Sequence, residues 1–273
     1  MASFLKRLFG GKDQPPPQPA PSRAAPAAIA PAVATSDQLI AESRKAVRAV
    51  DRRREPQDWA NAQQVLAANL VYATTSTPDH DAAAMLAEAV GILDEALDAA
   101  GPDADPGFLG SLHKLRGEAL WRRASHLFED EKGRALAEAA NAFGAAMTTC
   151  PRTANYQVWV DSAFFRGAAF QELSAMKGGA QGVAWLDEAV ALFTGLAANG
   201  AGNGGPHPIA AYNAYVVLEK RAARTERRAA IAYYEEARRY LLQVIDSGAM
   251  ATHADHHRQL LAGLEATIAD LKR

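Results

Sequence analysis

One short phrase recurs at a fixed interval, and it constrains this chain more than any other feature. Leu86-Ala87-Glu88-Ala89 returns as Leu136-Ala137-Glu138-Ala139 and again as Leu186-Asp187-Glu188-Ala189, each time 50 residues on. Leu93, Phe143 and Phe193 keep the same step, as do Ala96, Ala146 and Leu196. Upstream, Trp59, Leu109, Trp159 and Ile209 form an apolar series at that spacing, and Ala67, Gly117 and Gly167 form a small-residue series. A looser fourth copy, Tyr234-Glu235-Glu236-Ala237, comes 48 residues after the third. A period of this length is the mark of stacked structural units, none of which can bury its apolar face alone.

Within each unit the apolar spacing is helical. Leu86, Ala89, Val90, Leu93, Ala96 and Leu97 follow the i, i+3, i+4, i+7 pattern of one helix face. Breakers separate the units: Gly101-Pro102 with Asp103 to Pro106, Cys150-Pro151, and the glycine run 199–206. Each unit therefore reads as two antiparallel helices, over 57–74 with 82–99, 107–128 with 132–149, 155–175 with 180–198, and 207–223 with 226–246. Ser36 and Asp37 offer N-cap chemistry for a preceding helix over about 37–53. A charged last segment, 252–272, suits a capping helix with one wet face. The expected fold is all-α: an α-solenoid of about four helix pairs with a C-terminal cap. Its repeats run over about 57–102, 107–151, 155–200 and 207–247, within a domain spanning 36–273.

Composition fits that expectation. Apolar residues make up 49% of the 273, enough for a packed core, and no run of 18 apolar residues suggests a membrane span. The single cysteine, Cys150, rules out an intrachain disulfide and makes a reducing compartment the default. The net charge of −2 argues against a general nucleic-acid binder. The charge is unevenly spread, however: residues 1–54 hold ten Lys and Arg against four acids, a net +6 that leaves −8 for the rest.

The first residues form a separate signal. Phe4, Leu5, Leu8 and Phe9 share a helical face beside Lys6 and Arg7, so residues 1–12 read as a short amphipathic basic head. Such a segment can lie in a membrane interface, dock on a partner or on the array's own groove, or simply be solvated. Gly10, Gly11 and Lys12 interrupt any secretory h-region. Residues 13–35, dominated by Pro and Ala, read as an extended or disordered tether.

The repeat residues resemble the tetratricopeptide (TPR) family, whose second helix carries A-x3-F-x2-A-x4-P. Ala139, Phe143, Ala146 and Pro151 match it in full. Ala189, Phe193 and Leu196 lack the proline, and Ala89, Leu93 and Ala96 have Pro102 one place late. Gly117 and Gly167 fill the family's small position, and Asp58-Trp59-Ala60 with Leu66-Ala67 resembles its longer, roughly 50-residue bacterial variant. The resemblance covers about 57–247 and implies architecture more than activity. It implies that the first helix of each pair lines a concave groove. Groove positions would then fall at Gln64, Lys114, Glu118, Trp121, Phe164, Gln171 and Arg221. Trp121 offers the largest contact area, and Lys114 and Arg221 could meet a carboxylate or an acidic peptide. The bland alternative is that Trp121 belongs partly to the core and the charges are solvated. The asparagines of a terminal-carboxylate clamp are absent: Ala68, Glu118 and Ala168 stand in that row.

Reaction chemistry is hard to find in the sequence. Gly200 to Gly205 satisfies G-x-G-x-x-G, but a helix precedes it and Pro206-His207-Pro208 follows, so it reads as an inter-repeat loop. His253 and His257 stand at i, i+4 and could hold a metal, yet Asp255 completes the set only with strained geometry; a polar first turn is the plainer reading. Cys150 has no visible base beside it. Glu88, Glu138 and Glu188 repeat once per unit and belong to the scaffold. The expectation is a cytoplasmic, non-catalytic adaptor without cofactor or metal, binding a protein or peptide, with self-association open. The alternatives are a peripheral membrane organiser at the inner face of a membrane, working through its head, and a regulatory array that senses a small ligand or metal.

Overall fold

The computed structural model describes residues 35–75, 79–199 and 207–273, with side chains from 81 onward in the second stretch. The head at 1–12, nearly all of the tether and the Gly200–Gly205 motif lie outside the described residues.

Ten α-helices and no strand are found among the described residues. They are α1 (Ser36–Ala49), α2 (Pro56–Ala73), α3 (Asp79–Ala100), α4 (Pro106–Ala124), α5 (Glu129–Thr149), α6 (Tyr156–Met176), α7 (Gly179–Asn199), α8 (Pro208–Ala222), α9 (Arg227–Ser247) and α10 (Ala254–Lys272). A 3-10 turn at Ala251–His253 leads into α10. Each helix packs on the next, so this is an all-α solenoid in which α2/α3, α4/α5, α6/α7 and α8/α9 are the pairs. Contacts also join α2 to α4 and α4 to α6, so first helices of successive pairs touch one another directly.

The helix starts keep the period as well. Glu55, Asp105 and Asn155 occupy the N-cap positions of α2, α4 and α6, and His207 that of α8. Asp105 accepts a hydrogen bond from the Phe108 N–H at 2.8 Å, and Asn155 accepts from Val158. Such bonds satisfy backbone donors that have no partner inside the helix. Proline follows at the first helical position in α2, α4 and α8, where its missing N–H costs nothing. Two boundaries differ from expectation. Thr35, not Ser36 or Asp37, caps α1, in a reciprocal capping box with Gln38. That helix ends at Ala49 rather than near 53, because Val50 turns extended and Asp51 then organises a turn.

The small and large repeat positions prove to be two halves of one contact. A Cβ added at Gly117 would lie 2.8 Å from the Phe143 ring, and one at Gly167 would lie 2.9 Å from Phe193. Each ring rests on the glycine of its own partner helix, and Phe143 also reaches onward to stack on Phe165 of the next pair at 5.6 Å. Phe143 and Phe193 are fully buried, as are Leu86, Leu93, Leu136, Leu186 and Leu241. Cys150 packs against Gly110, and burial pushes its thiol pKa up, which keeps it neutral.

Polar contacts join successive units at about the repeat spacing. The Lys114 ammonium meets Asp161 at 2.7 Å, Trp121 Nε1–H donates to Glu172 at 2.9 Å, and Arg224 donates to the Ser174 carbonyl. Arg152 donates to the Asn199 carbonyl, and Gln243 to that of Ala197. These bonds fix one unit's register against the next.

Candidate partner-binding face

The first helices bring a row of half-buried rings together. Trp121 on α4 lies 5.5 Å from Phe165 on α6. Phe165 meets Phe164 edge-on at 5.8 Å, and Phe164 stacks with His207, the cap of α8, at 6.5 Å. The row thus crosses three first helices. Trp121 and Phe165 stand 44 residues apart and Phe164 and His207 43, so each ring meets one nearer the start of the next first helix.

Most charges beside the row are already matched. Asp161 takes the Lys114 ammonium on one oxygen and the Gln157 amide on the other. Glu172 takes the Trp121 N–H and lies 3.9 Å from Lys132. Glu118 holds Arg122 one turn on at 2.8 Å. Paired in this way, the face presents apolar ring area with a neutralised polar margin. An unfilled cation for an acidic peptide, as Lys114 suggested in the sequence, is not what the geometry offers.

Other expected groove residues are placed differently. Gln171 is only 2% exposed and faces the interior, where Leu173 and Ser174 are also buried; it does not line a surface. Arg221 is 15% exposed in its side chain. It pairs with Asp187 of α7 at 2.6 Å, bonds Thr225 and lies over the Tyr233 ring of α9, so it faces the second helices. Its neighbour Lys220 is half-buried. Burial lowers the Lys220 pKa, with help from Arg224, while Glu219 and Glu172 oppose the shift. Gln64 lines a cavity of about 340 Å3 with Asp105, Phe108, Ser111 and Asn155. Both Asp105 and Asn155 are occupied there as helix caps.

Sequence reasoning missed Val65 and Tyr72 on α2, which are 54% and 65% exposed. They stand seven residues apart, two turns of one face, with exposed Ala68 between. Their apolar or aromatic character on the wet side of a first helix was the available signal.

The histidine cluster is divided between core and surface. His257 is 2% exposed and packs against Tyr212 of α8 at 5.5 Å between ring centres, while His253 is exposed. Among the described residues no three metal-binding side chains converge. No described helix is long and apolar enough to cross a membrane. No family model matches the sequence, and no curated protein matches it either.

Proposed function

We propose that this chain is a TPR-like scaffold that holds a segment of a partner protein against the first-helix side of its array, without catalysing a reaction. The observation that carries the reading is the ring row Trp121–Phe165–Phe164–His207, continued toward the N-terminal end by the exposed Val65 and Tyr72. Half-buried rings supply large contact area at low cost in side-chain entropy, and aromatic residues dominate binding hot spots. Neutralised charges along the margin make their desolvation less costly on docking. The partner this face suits is an extended or helical segment with apolar anchors rather than a carboxylate-rich peptide. A cytoplasmic setting is part of the same proposal.

The test is capture from native lysate with the full chain, read by mass spectrometry and repeated with purified partner by calorimetry. Val65→Glu/Tyr72→Glu alters only exposed positions and is expected to leave helicity and Tm unchanged while weakening partner affinity about tenfold or more, as loss of hot-spot contacts does. Trp121→Leu, which keeps apolar bulk but removes the ring and the bond to Glu172, is expected to weaken partner affinity as well, and to lower Tm because that bond and the ring tie two units together. Undiminished affinity in both variants would remove the face from consideration.

A further inference from the structure

The turn between α1 and α2 is built as a basic platform. Residues 44–54 hold six cations, Arg44, Lys45, Arg48, Arg52, Arg53 and Arg54, against the single acid Asp51. All six are exposed. Asp51 shapes the turn and pairs with one of the six cations, Arg54, at 3.7 Å. Its side chain accepts from the Arg53 N–H at 2.9 Å, and its carbonyl accepts from the N–H groups of Arg54 and Glu55. Arg52 is pinned over the Trp59 ring at 4.6 Å, and Arg44 is held by Glu88 of α3. Lys45, Arg48 and Arg53 extend into solvent without an ion pair among the described residues. The turn is therefore ordered in advance, and its cations need little rearrangement to meet an anionic partner.

Charge elsewhere narrows the partner. Residues 55–273 carry −8, so the positive end is attached to an acidic body. A nucleic-acid strand running along the protein would meet that acidic body. It would also find no ring to stack on at the turn, because Trp59 is buried under Arg52. A flat anionic surface meets the end of the stack alone. The sequence ahead of α1 supplies the complementary apolar element, Phe4, Leu5, Leu8 and Phe9, and stable membrane attachment generally takes such a pair of weak signals.

We propose that the α1–α2 turn, through Lys45, Arg48 and Arg53, is a docking surface for an anionic lipid membrane. The contact is electrostatic, so it depends on lipid charge and salt rather than on insertion. It goes beyond the scaffold reading and does not depend on it.

The experiment is co-sedimentation of the full chain with vesicles of phosphatidylcholine, or of phosphatidylcholine with roughly a third replaced by phosphatidylglycerol. Binding is expected only to the anionic vesicles. It should weaken steeply between about 0.1 M and about 1 M salt, as the screening length shortens from about 10 Å to about 3 Å. Lys45→Glu/Arg48→Glu/Arg53→Glu is expected to lower vesicle affinity about tenfold or more with Tm and helicity unchanged. A control with the same change in net charge, Arg134→Glu/Lys177→Glu/Arg228→Glu at three other exposed cations, should keep most of the binding. Phe4→Asp/Leu8→Asp tests the head separately, and salt-sensitive binding should persist in it. Equal binding to neutral vesicles, equal loss in the control, no loss in the turn variant, or preference for duplex DNA over anionic vesicles would each overturn the proposal.

Discussion

Truncating Phe143 to alanine is expected to cost the array about 3–5 kcal/mol, the range for a fully buried phenylalanine that leaves a cavity. The ring is completely buried, seated on Gly117 and stacked on Phe165. Its loss removes contacts within one pair and between two pairs at once. Chemical denaturation followed by circular dichroism measures the change, and a shift well under 1 kcal/mol would contradict the geometry. The matching experiment enlarges the other half of the contact. Gly117→Ala forces a methyl against the ring and is expected to cost about 1–3 kcal/mol by overpacking. In a Phe143→Leu background the methyl gains room, so the same substitution should cost much less. That non-additivity, read from a double-mutant cycle, is the signature of direct contact. Strict additivity would mean that the two residues act independently.

The second large effect is acid sensitivity. Burial is the main cause lowering the pKa of His113, His207 and His257 below the ordinary 6.5. Arg116 adds to the shift at His113 against Asp94; Asp161 opposes it at His207; His256 and His253 add to it at His257. In each case the unfolded chain binds the proton at higher pH than the folded one does. Stability is therefore complete above about pH 6.5 and is lost as pH falls from there through the folded-state values. Thermal unfolding followed by circular dichroism should show a flat Tm from mild alkali down to near neutrality and a decline in mild acid. At His207 the geometry supplies a reason beyond burial. Its Nδ1 accepts the Ala210 N–H as the cap of α8, which only the unprotonated nitrogen can do. His207→Asn keeps an acceptor that does not titrate in this range and should flatten part of the decline without lowering Tm at neutral pH. A Tm that is insensitive to pH between about 7 and 5 would contradict the assignment.

Much of the architecture was legible because it is encoded locally and then repeated. Helix spans read from apolar spacing match the observed elements within a few residues. Breakers at Gly101-Pro102 and Cys150-Pro151 fall between pairs. What escaped was direction around a helix. Placing Gln171 on a surface, and Arg221 on the first-helix side, are errors of rotation, which spacing alone constrains weakly when neighbouring residues differ by about 100°. The ring row was half visible. Trp121 and Phe164 were named, but Phe165, which links them, and His207, which ends the row, carried no signal until the caps and stacking partners were in place. The pairing of Lys114 with Asp161 was equally hidden, because 47 residues separate the two and only the stacking of units brings them together. The basic stretch 44–54 stood out as charge, while its ordered form depends on Asp51 and on Trp59 beneath Arg52.

The bonds that tie neighbouring units also bear on synthesis. Lys114 finds its partner 47 residues later, Trp121 finds Glu172 after 51, and Ser174 waits 50 residues for Arg224. Each helix pair can therefore complete its packing once roughly one further repeat has left the ribosome, at elongation rates of about 5–20 residues per second. Among the described helices no distant segment has to return to the start. Nascent chain is exposed for only a few seconds per unit, and the growing array is itself the template on which the next pair folds.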